Sequence, residues 1–334
     1  MLRSSLLCET VKLAIDDRLV ILNSAADPFV QESALRLAAG ELVLAEDNLA
    51  ALQRAHEIIL RERVPISPRH IPFHEYTLHM PPATMDIAVM NILYQPSKAW
   101  IDYALQLAAY TLKPGGQFFV QGAKDRGILT LAKRMGEMFG GVETLEIHKG
   151  ERVVRSICNL EPGGSDALPV LTPFAEGKLD EGTRLLLEAL EVHKTDEALD
   201  IGCGAGYIGC HVASRAVKGK VTMVDASLAA VDAARRMIEQ RGLPNARALA
   251  SDGTQAVREE RYDLVVTNPP FHIGGIQTTE IGHRFIREAA LVLHPRGRFY
   301  LVANRFLKYE TTMRECFSTV EEVGGNTRFK VLRG

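Results

Sequence analysis

The stretch Asp263–Phe271, with the sequence DLVVTNPPF, combines residue types that could bind a planar amino group. Its first residues are typical of a buried strand, which leads into Asn268, Pro269, Pro270 and Phe271. Each proline fixes φ, lacks an N–H donor and biases the preceding residue towards an extended backbone. The carbonyl groups and the Asn268 amide are therefore held rigidly as acceptors, and Phe271 offers a flat apolar face. We interpret this stretch as a segment that holds the amino group of a nucleobase.

Three further features upstream of this segment each follow a predicted strand. A glycine turn lets the backbone approach a ligand closely, and an acid about 20 residues later can accept hydrogen bonds from ribose hydroxyls. Here 23 residues separate the first glycine from the first acid. Ligands of open α/β sheets bind at the carboxyl ends of the strands, so the features should line one site. They are the turn Gly202, Gly204 and Gly206, the acid Asp225, and the pair Asp252 and Gly253.

A glycine turn alone also fits dehydrogenases. A dehydrogenase, however, has no reason to carry an Asn-Pro-Pro-Phe sequence after its fourth strand. The ordered series of strand-end residues is the pattern of class I methyltransferases, which use S-adenosylmethionine and act on planar amino groups. The five cysteines form no CxxC pair, so we expect neither a disulfide framework nor a metal site.

The elements that must position these residues alternate between strands and helices, which predicts an α/β fold with parallel, doubly wound sheets. In the first half we expect strands at 18–22, 41–45, 86–90 and 117–120, helices at 29–39, 49–63 and 99–112, and a tight turn at 113–116. In the second half we expect strands at 198–201, 221–224, 246–250, 263–266, 298–302 and 328–333, helices at 184–192, 207–216, 228–241 and 282–293, and a tight turn at 294–297.

Matching residues in the two halves indicate an internal duplication, although chance similarity between two α/β domains is the alternative. The first strand-to-helix turn of the first half, residues 23–28, contains no glycine. Side chains there would obstruct a ligand, so we expect this copy to be degenerate and to bind no cofactor. The matched pairs, at offsets of 177 to 181 residues, are Asp86 with Asp263, Asn91 with Asn268, Asp47 with Asp225, and Pro114 with Pro295.

A chain of 334 residues is long enough for two domains. We predict a degenerate Rossmann-like domain at 1–160, a linker at 161–173 and a catalytic domain at 174–334, because the linker holds two glycines and three prolines. No run approaches 18 apolar residues and the apolar N-terminal stretch is too short for a signal peptide. We therefore expect a cytoplasmic protein with no membrane association.

The net charge of −2 excludes a global basic field, so binding to RNA would depend on local patches. The segment 284–334 contains ten Lys and Arg residues against five Glu, which favours such a patch. A solvated surface of mixed charge is the alternative for the same segment.

Five motifs resemble the ribosomal RNA guanine-N2 methyltransferases of the RsmC kind, and they cover most of the second half. The first half resembles that family in layout only. The resemblance implies two tandem Rossmann-like methyltransferase domains, of which the second binds S-adenosylmethionine and the first helps with folding or RNA binding. The motifs are Phe174 with Leu179–Thr183, Asp200–Gly206, Asn268–Gly274, Val302–Leu307 and Arg328–Val331.

The resemblance implies a role for each site residue. The exocyclic amine of guanine is a poor nucleophile, and acceptors at Asn268 and Pro269 would hold its hydrogens so that its lone pair faces the methyl group. Asp252 would accept from the adenine amino group, and His272 fits an RNA contact or a structural role better than proton removal. The implied catalytic residues are Asn268, Pro269, Pro270 and Phe271. The implied cofactor-binding residues are Thr183, Asp200, Gly202, Gly204, Gly206, Asp225, Asp252, Gly253 and Asn268. The implied substrate-binding residues are Phe271, His272 and Arg305.

The function that this resemblance implies is methylation of a guanosine in 16S ribosomal RNA by a monomer that needs no metal. Its partner would be ribosomal RNA or the small ribosomal subunit. The open alternatives are a large-subunit guanine-N2 methyltransferase, an adenine-N6 or glutamine-N5 methyltransferase, and a non-catalytic RNA-binding protein of ribosome assembly.

Overall fold

The structure is a computed structural model that describes residues 5–62, 64–160, 179–270, 272–273, 276–277 and 279–334, with side chains of 271–278 excluded. The chain forms two compact units, one of Met1–Leu171 with Ile273–Gly275 and one of Thr172–His272 with Ile276–Gly334. The predicted linker at 161–173 lies outside the described residues, so the predicted domain limits stay a prediction. Within the described ranges, no helix is long and apolar enough to cross a membrane.

The first unit contains one seven-stranded sheet with helices packed on it. Its strands are β1 (Arg18–Leu22), β2 (Glu41–Glu46), β3 (Arg69–Pro72), β4 (Met85–Asn91), β5 (Leu112–Ala123), β6 (Glu143–His148) and β7 (Glu151–Ile157). Its helices are α1 (Leu6–Thr10), α2 (Phe29–Arg36), α3 (Leu49–Glu62), α4 (Tyr76–His79), α5 (Lys98–Thr111) and α6 (Ile128–Phe139). The strand order is β3-β2-β1-β4-β5-β7-β6.

The second unit repeats this architecture with a second seven-stranded sheet. Its helices are α7 (Glu181–Ala189), α8 (Tyr207–Ala213), α9 (Leu228–Arg241), α10 (Glu280–Val292) and α11 (Tyr309–Cys316). The strands of its main sheet are β8 (Ala198–Ile201), β9 (Val221–Asp225), β10 (Ala246–Ala250), β11 (Tyr262–Thr267), β14 (Leu293–Asn304), β15 (Glu321–Gly325) and β16 (Phe329–Arg333). Two short strands between β11 and β14, β12 (His272–Ile273) and β13 (Ile276–Gln277), form a separate two-stranded sheet. The order of the main sheet is β10-β9-β8-β11-β14-β16-β15.

The central strands are almost continuously apolar because helices cover both faces of each sheet. All four residues of β8 are buried, as are Leu19–Leu22 of β1. The first five strands of each order are parallel, as predicted. The last two pairings of each order are antiparallel, so one strand, β7 or β16, runs against the other six and each sheet is mixed instead of parallel throughout.

The turns predicted at 113–116 and 294–297 lie within the long strands β5 and β14. Both strands pair with their neighbours on either side of the Pro-Gly region, and the register shifts there between Met85 and Ile87 and between Tyr262 and Leu264. A bulge of this kind lets the chain bend without leaving the sheet. The prediction that each strand begins only after its turn was therefore wrong, because β5 begins at Leu112 and β14 at Leu293.

The two units also agree in how they anchor the fourth strand of each copy. The carboxylate of Asp86 accepts the backbone N–H of Arg18 at 2.9 Å, and that of Asp263 accepts the N–H of Glu197 at 3.0 Å. The same bond at the same place in two sheets of the same order supports the predicted duplication.

Candidate functional site

The glycine turn after β8 can be built only from residues that accept a left-handed backbone. Gly202, Gly204 and Gly206 have φ angles of 71°, 53° and 85°. A Cβ atom on Gly206 would lie 3.0 Å from Cβ of Ala234, and one on Gly202 would lie 3.1 Å from the ring of Phe285. The turn therefore combines backbone strain for other residues with a lack of space for a side chain.

Asp225, at the end of β9, holds this turn in place. One carboxylate oxygen accepts the N–H of Gly204 at 2.9 Å, and the other accepts the N–H of Ser227 at 2.8 Å. Burial raises the pKa of Asp225 above its usual value. An ionised carboxylate can accept about four hydrogen bonds, so Asp225 retains capacity for a further donor such as a ribose hydroxyl.

Asp200 supports the turn from the interior of the unit. Its side chain is fully buried, and Oδ2 accepts the N–H of Gly209 in α8 at 2.8 Å. Burial raises the pKa of Asp200 to about 7, and the neighbouring charge of Asp225 adds to this effect. Among the described residues, none hydrogen-bonds to Oδ1. Asp200 therefore fixes α8 relative to the turn. The sequence analysis predicted only that it binds the cofactor, and that role stays a prediction.

Asp252, after β10, is held by a helix that the sequence analysis did not include in the site. Arg284 of α10 donates to Oδ1 of Asp252 at 2.6 Å and lies 3.7 Å from Glu288. Glu288 accepts the N–H of Thr254 at 2.9 Å, and burial raises its pKa. Gly253 has a φ of 57°, and a Cβ there would overlap the Glu288 carboxylate.

Sequence analysis missed Arg284 and Glu288 as site residues because they lie more than 30 residues from Asp252. The only local signal is their spacing of four positions, which places both on one face of a helix. That spacing is equally typical of an exposed ion pair, so it could not identify a role.

The Asn268 amide is oriented by the start of α7. Its Nδ2 donates to the Thr183 hydroxyl at 2.9 Å, and that hydroxyl donates to Asp180 at 2.5 Å. Asp180 also accepts the N–H of Thr183 at 2.9 Å and so caps α7. With Nδ2 engaged, the hydrogen-bond network assigns Oδ1 to the opposite side of the amide. Within the part of the chain that the structure describes, no group donates to Oδ1.

A small cleft next to Asn268 brings together three of the motifs that are far apart in the sequence. Pro269 is buried in it, whereas Pro270 is exposed. The other walls come from the end of β14, the turn that follows it, the start of α11 and β16, namely Val302, Ala303, Asn304, Leu307, Tyr309 and Phe329.

Of the three predicted substrate residues, the structure describes the side chain of Arg305 alone. Phe271 and the side chain of His272 lie outside the described residues, although the backbone of His272 belongs to β12. Arg305 pairs with Glu322 at 2.7 Å and donates to the carbonyl of Asn326. Its guanidinium therefore contacts the β15 edge, and its role in substrate binding stays a prediction.

The corresponding edge of the first unit keeps the backbone geometry of the turn without its glycines. Asn23 has a φ of 45° and donates its N–H to the carbonyl of Ala45 at 2.7 Å. Gly202 makes the same bond to Val224 at 2.8 Å. Asparagine tolerates the left-handed region better than most residues, so the fold survives the loss of this glycine.

Glu46, and not Asp47, is the counterpart of Asp225. Glu46 accepts the N–H of Ala25 at 2.7 Å, as Asp225 accepts that of Gly204. Each pair is 179 residues apart, the same offset that relates Asn23 to Gly202. The predicted pairing of Asp47 with Asp225 was therefore wrong by one position, because sequence alone does not fix the register of a strand end.

Buried polar side chains fill the space at this edge of the first unit. Asn91 donates to Asp27 at 2.7 Å, and Gln95 donates to the carbonyl of Asn23 at 2.9 Å. Ser5, just before α1, donates to Gln121 at 2.8 Å. Burial raises the pKa of Asp27. The counterpart of the ligand site is thus packed with the unit's own side chains.

Comparison with known proteins decides the family. A model of the methyltransferase small domain matches residues 171–333. Ribosomal RNA small subunit methyltransferase C of Shewanella loihica is 32% identical over 271 residues, which cover 76% of this chain and 78% of that protein. The chain belongs to the ribosomal RNA small subunit methyltransferase C family. The same enzyme of Alcanivorax borkumensis is 40% identical over 177 residues, 52% of this chain and 53% of that protein.

A solved structure of this family covers both units. The T. thermophilus 16S rRNA N2 G1207 methyltransferase (RsmC), in complex with AdoMet and guanosine, matches with a TM-score of 0.80 and 26% identity. The match covers 98% of this chain and 90% of that one. The predicted family, the fold of two tandem Rossmann-like units and the class of S-adenosylmethionine-dependent methyltransferase are confirmed.

Proposed function

We propose that this protein transfers a methyl group from S-adenosylmethionine to the exocyclic N2 amine of a guanosine in 16S ribosomal RNA. The observation that carries this proposal is the oriented Asn268 amide. It follows β11, which pairs with β8, so it lies at the same edge of the sheet as the glycine turn of this chain. The T. thermophilus relative is described as acting on G1207, and we infer that the equivalent guanosine is the target here.

The residues around the turn fit the cofactor. The turn has a left-handed backbone at Gly202, Gly204 and Gly206 that other residues rarely adopt, and we assign these glycines to the methionine part. Asp225 has unused acceptor capacity for the ribose, and Asp252 with Gly253 faces the adenine in this assignment. When bound, the cofactor supplies an electrophilic methyl group.

The acceptor side of the site works by positioning. In our proposal, Oδ1 of Asn268 and the carbonyl of Pro269 accept the two N–H groups of the guanine amine. These bonds draw the nitrogen out of conjugation with the ring and direct its lone pair. Phe271 stacks on the base, a type of contact that contributes about 1–3 kcal/mol. Such orientation is a large source of rate enhancement in transfer between two bound groups.

The target base must leave any helix before it can reach this site. We assign the first unit a structural or RNA-contacting role, since its own cleft is filled by Asn91, Gln95 and Asp27. We also propose that the protein acts in the cytoplasm, because its substrate in this proposal is ribosomal RNA or the small subunit, and that it does so as a monomer.

Methylation assays with labelled S-adenosylmethionine test the proposal. Unmodified 16S RNA, 30S subunits, 23S RNA and 50S subunits serve as substrates, and the modified nucleotide is mapped by mass spectrometry. We expect label on N2 of one guanosine of 16S RNA or the 30S subunit. Label on 23S RNA, on an adenine or on a protein glutamine would contradict the proposal, as would cofactor binding without transfer to any substrate.

A further inference from the structure

Helix α10 places two charged side chains directly behind the turn that follows β10. Arg284 donates to Oδ1 of Asp252 at 2.6 Å and lies 3.7 Å from the Glu288 carboxylate. Glu288 accepts the N–H of Thr254, two residues after Asp252, at 2.9 Å. We call the pair Arg284 and Glu288 the α10 brace. It holds both the side chain of Asp252 and the backbone beside it.

The brace fixes which oxygen of Asp252 remains free. Oδ1 is taken by the guanidinium, and no described residue hydrogen-bonds to Oδ2 in the structure. The Asp252 side chain is only 16% exposed, so an oxygen without a partner there is partly desolvated and benefits strongly from a donor. Gly253 cannot gain a side chain without overlapping Glu288, which keeps the turn against the helix.

The neighbouring residue on α10 extends this arrangement to the glycine turn. Phe285 is almost fully buried, and its ring lies against Gly202. One helix therefore contacts both the turn assigned to the methionine part and the acid assigned to the adenine. The space between Asp252 and Gly202 is thus shaped by α10.

We propose that the α10 brace aims Oδ2 of Asp252 at the exocyclic amino group of the cofactor's adenine, and that Arg284 is thereby a positioning residue for base specificity. This inference rests on the proposed function, in which Asp252 faces the adenine. An ionised carboxylate is an acceptor only, so it binds an amino group and repels an oxo group at the same place. A site built for one hydrogen-bonding group rejects analogues that lack it, because its own buried polar group is left unpaired.

Two cofactor products distinguish this role from a general structural one. S-adenosylhomocysteine carries the amino group, and S-inosylhomocysteine carries an oxo group instead. We expect titration calorimetry of the full-length protein to give a preference of about 100-fold or more for the adenosyl compound, in the range of polar recognition. In Arg284→Ala the preference should fall by about 10-fold, as expected when one charge-assisted bond no longer positions its partner. The loss should appear in the affinity for S-adenosylhomocysteine, with little change for the inosyl compound.

Two further variants and one control complete the experiment. Arg284→Lys should retain part of the preference, because it keeps one charged donor. Asp252→Asn should shift the preference towards the inosyl compound, because a carboxamide can donate to an oxo group. Arg287→Ala removes an exposed arginine of the same helix and should match the wild type. Thermal unfolding of each variant checks that the protein is folded.

The outcomes separate the brace from the proposed function. An unchanged preference in Arg284→Ala, or an equal loss for both compounds, would overturn the positioning role while leaving cofactor binding intact. If the wild type bound neither compound, the proposed function itself would fail, and the brace with it.

Discussion

Asn268 shows how a single side chain can be oriented by a residue that is distant in sequence. Its amide nitrogen is held by Thr183, which itself caps α7 together with Asp180. This leaves the amide oxygen as the acceptor that the proposed chemistry needs. Because the network spans more than 80 residues, the orientation depends on the folded unit and not on the Asn-Pro-Pro segment alone.

Replacement of Asn268 by alanine should abolish most of the methyl transfer. Loss of one oriented group that acts in the transition state typically lowers kcat by about 100-fold or more. Affinity for S-adenosylhomocysteine should be unchanged, since Asn268 acts on the acceptor in this proposal. Single-turnover assays and calorimetry measure the two effects. Asn91→Ala, at the equivalent place of the first unit, is the matched control, and an Asn268→Ala enzyme of normal rate would refute the assigned role.

Asp200 makes the stability of the protein depend on pH. Its pKa is about 7 in the folded chain and its ordinary value is 3.8, so the folded state keeps a proton that the unfolded state has lost. Stability from this group is complete below about pH 4 and is lost as the pH rises through about 7. A pKa change of this size corresponds to at most about 4 kcal/mol.

An asparagine at position 200 imitates the protonated acid at every pH. We expect the melting temperature of the cofactor-free wild type to fall relative to Asp200→Asn as the pH increases from 4 to about 8. Differential scanning calorimetry at several pH values measures this difference. Parallel curves for the two proteins would show that Asp200 is ionised throughout and that burial does not control it.

At the scale of elements, the glycine turn joins β8 to α8 through backbone conformations that other residues rarely adopt. At Gly206 a side chain would also meet Ala234 and Met223, whereas at Gly242, the left-handed end of α9, it would meet open space. These two left-handed glycines therefore differ in the space that is available to a side chain.

Gly206→Ala should destabilise the protein more than Gly242→Ala does. The left-handed backbone costs about 1–2 kcal/mol in either variant, and the overlap at Gly206 adds about 1–3 kcal/mol. Gly206→Ala should also weaken the binding of S-adenosylhomocysteine, and Gly242→Ala should not. Urea unfolding and calorimetry give both quantities. Equal effects in the two variants would mean that strain, and not space, explains the glycine at 206.

At the scale of the whole molecule, the two sheets have the same strand order and the same anchoring bonds. They differ in the residues at the carboxyl ends of their parallel strands. The second edge presents the glycine backbone and Asp225. The first presents Asn23 and Glu46 in the same geometry, covered by a buried network around Asp27. Burial raises the pKa of Glu46 to about 7, which indicates an interior position.

The acids at the two edges should therefore behave differently when they are removed. Asp225→Ala should weaken S-adenosylhomocysteine binding by about 10-fold or more, as for loss of a bond to two donors. Glu46→Ala should leave that affinity unchanged and lower the melting temperature, since the backbone N–H groups of Ala25 and Asn48 lose their acceptor and that of Asp47 loses one of two. If Glu46→Ala were the variant that lost binding, the active and degenerate units would have been assigned in the wrong order.

The sequence by itself determined the class of fold and predicted the duplication and the strand-end residues of the proposed site, because apolar strands, glycine turns and Asn-Pro-Pro leave local signals. The tertiary structure decided what those signals cannot carry. It showed that each sheet ends in antiparallel pairings and that Glu46, not Asp47, is the counterpart of Asp225 in the first unit. It also showed that Arg284 orients Asp252 and that Thr183 orients Asn268. These contacts join residues dozens of positions apart, and only the packing of the sheet and its helices brings them within hydrogen-bonding distance.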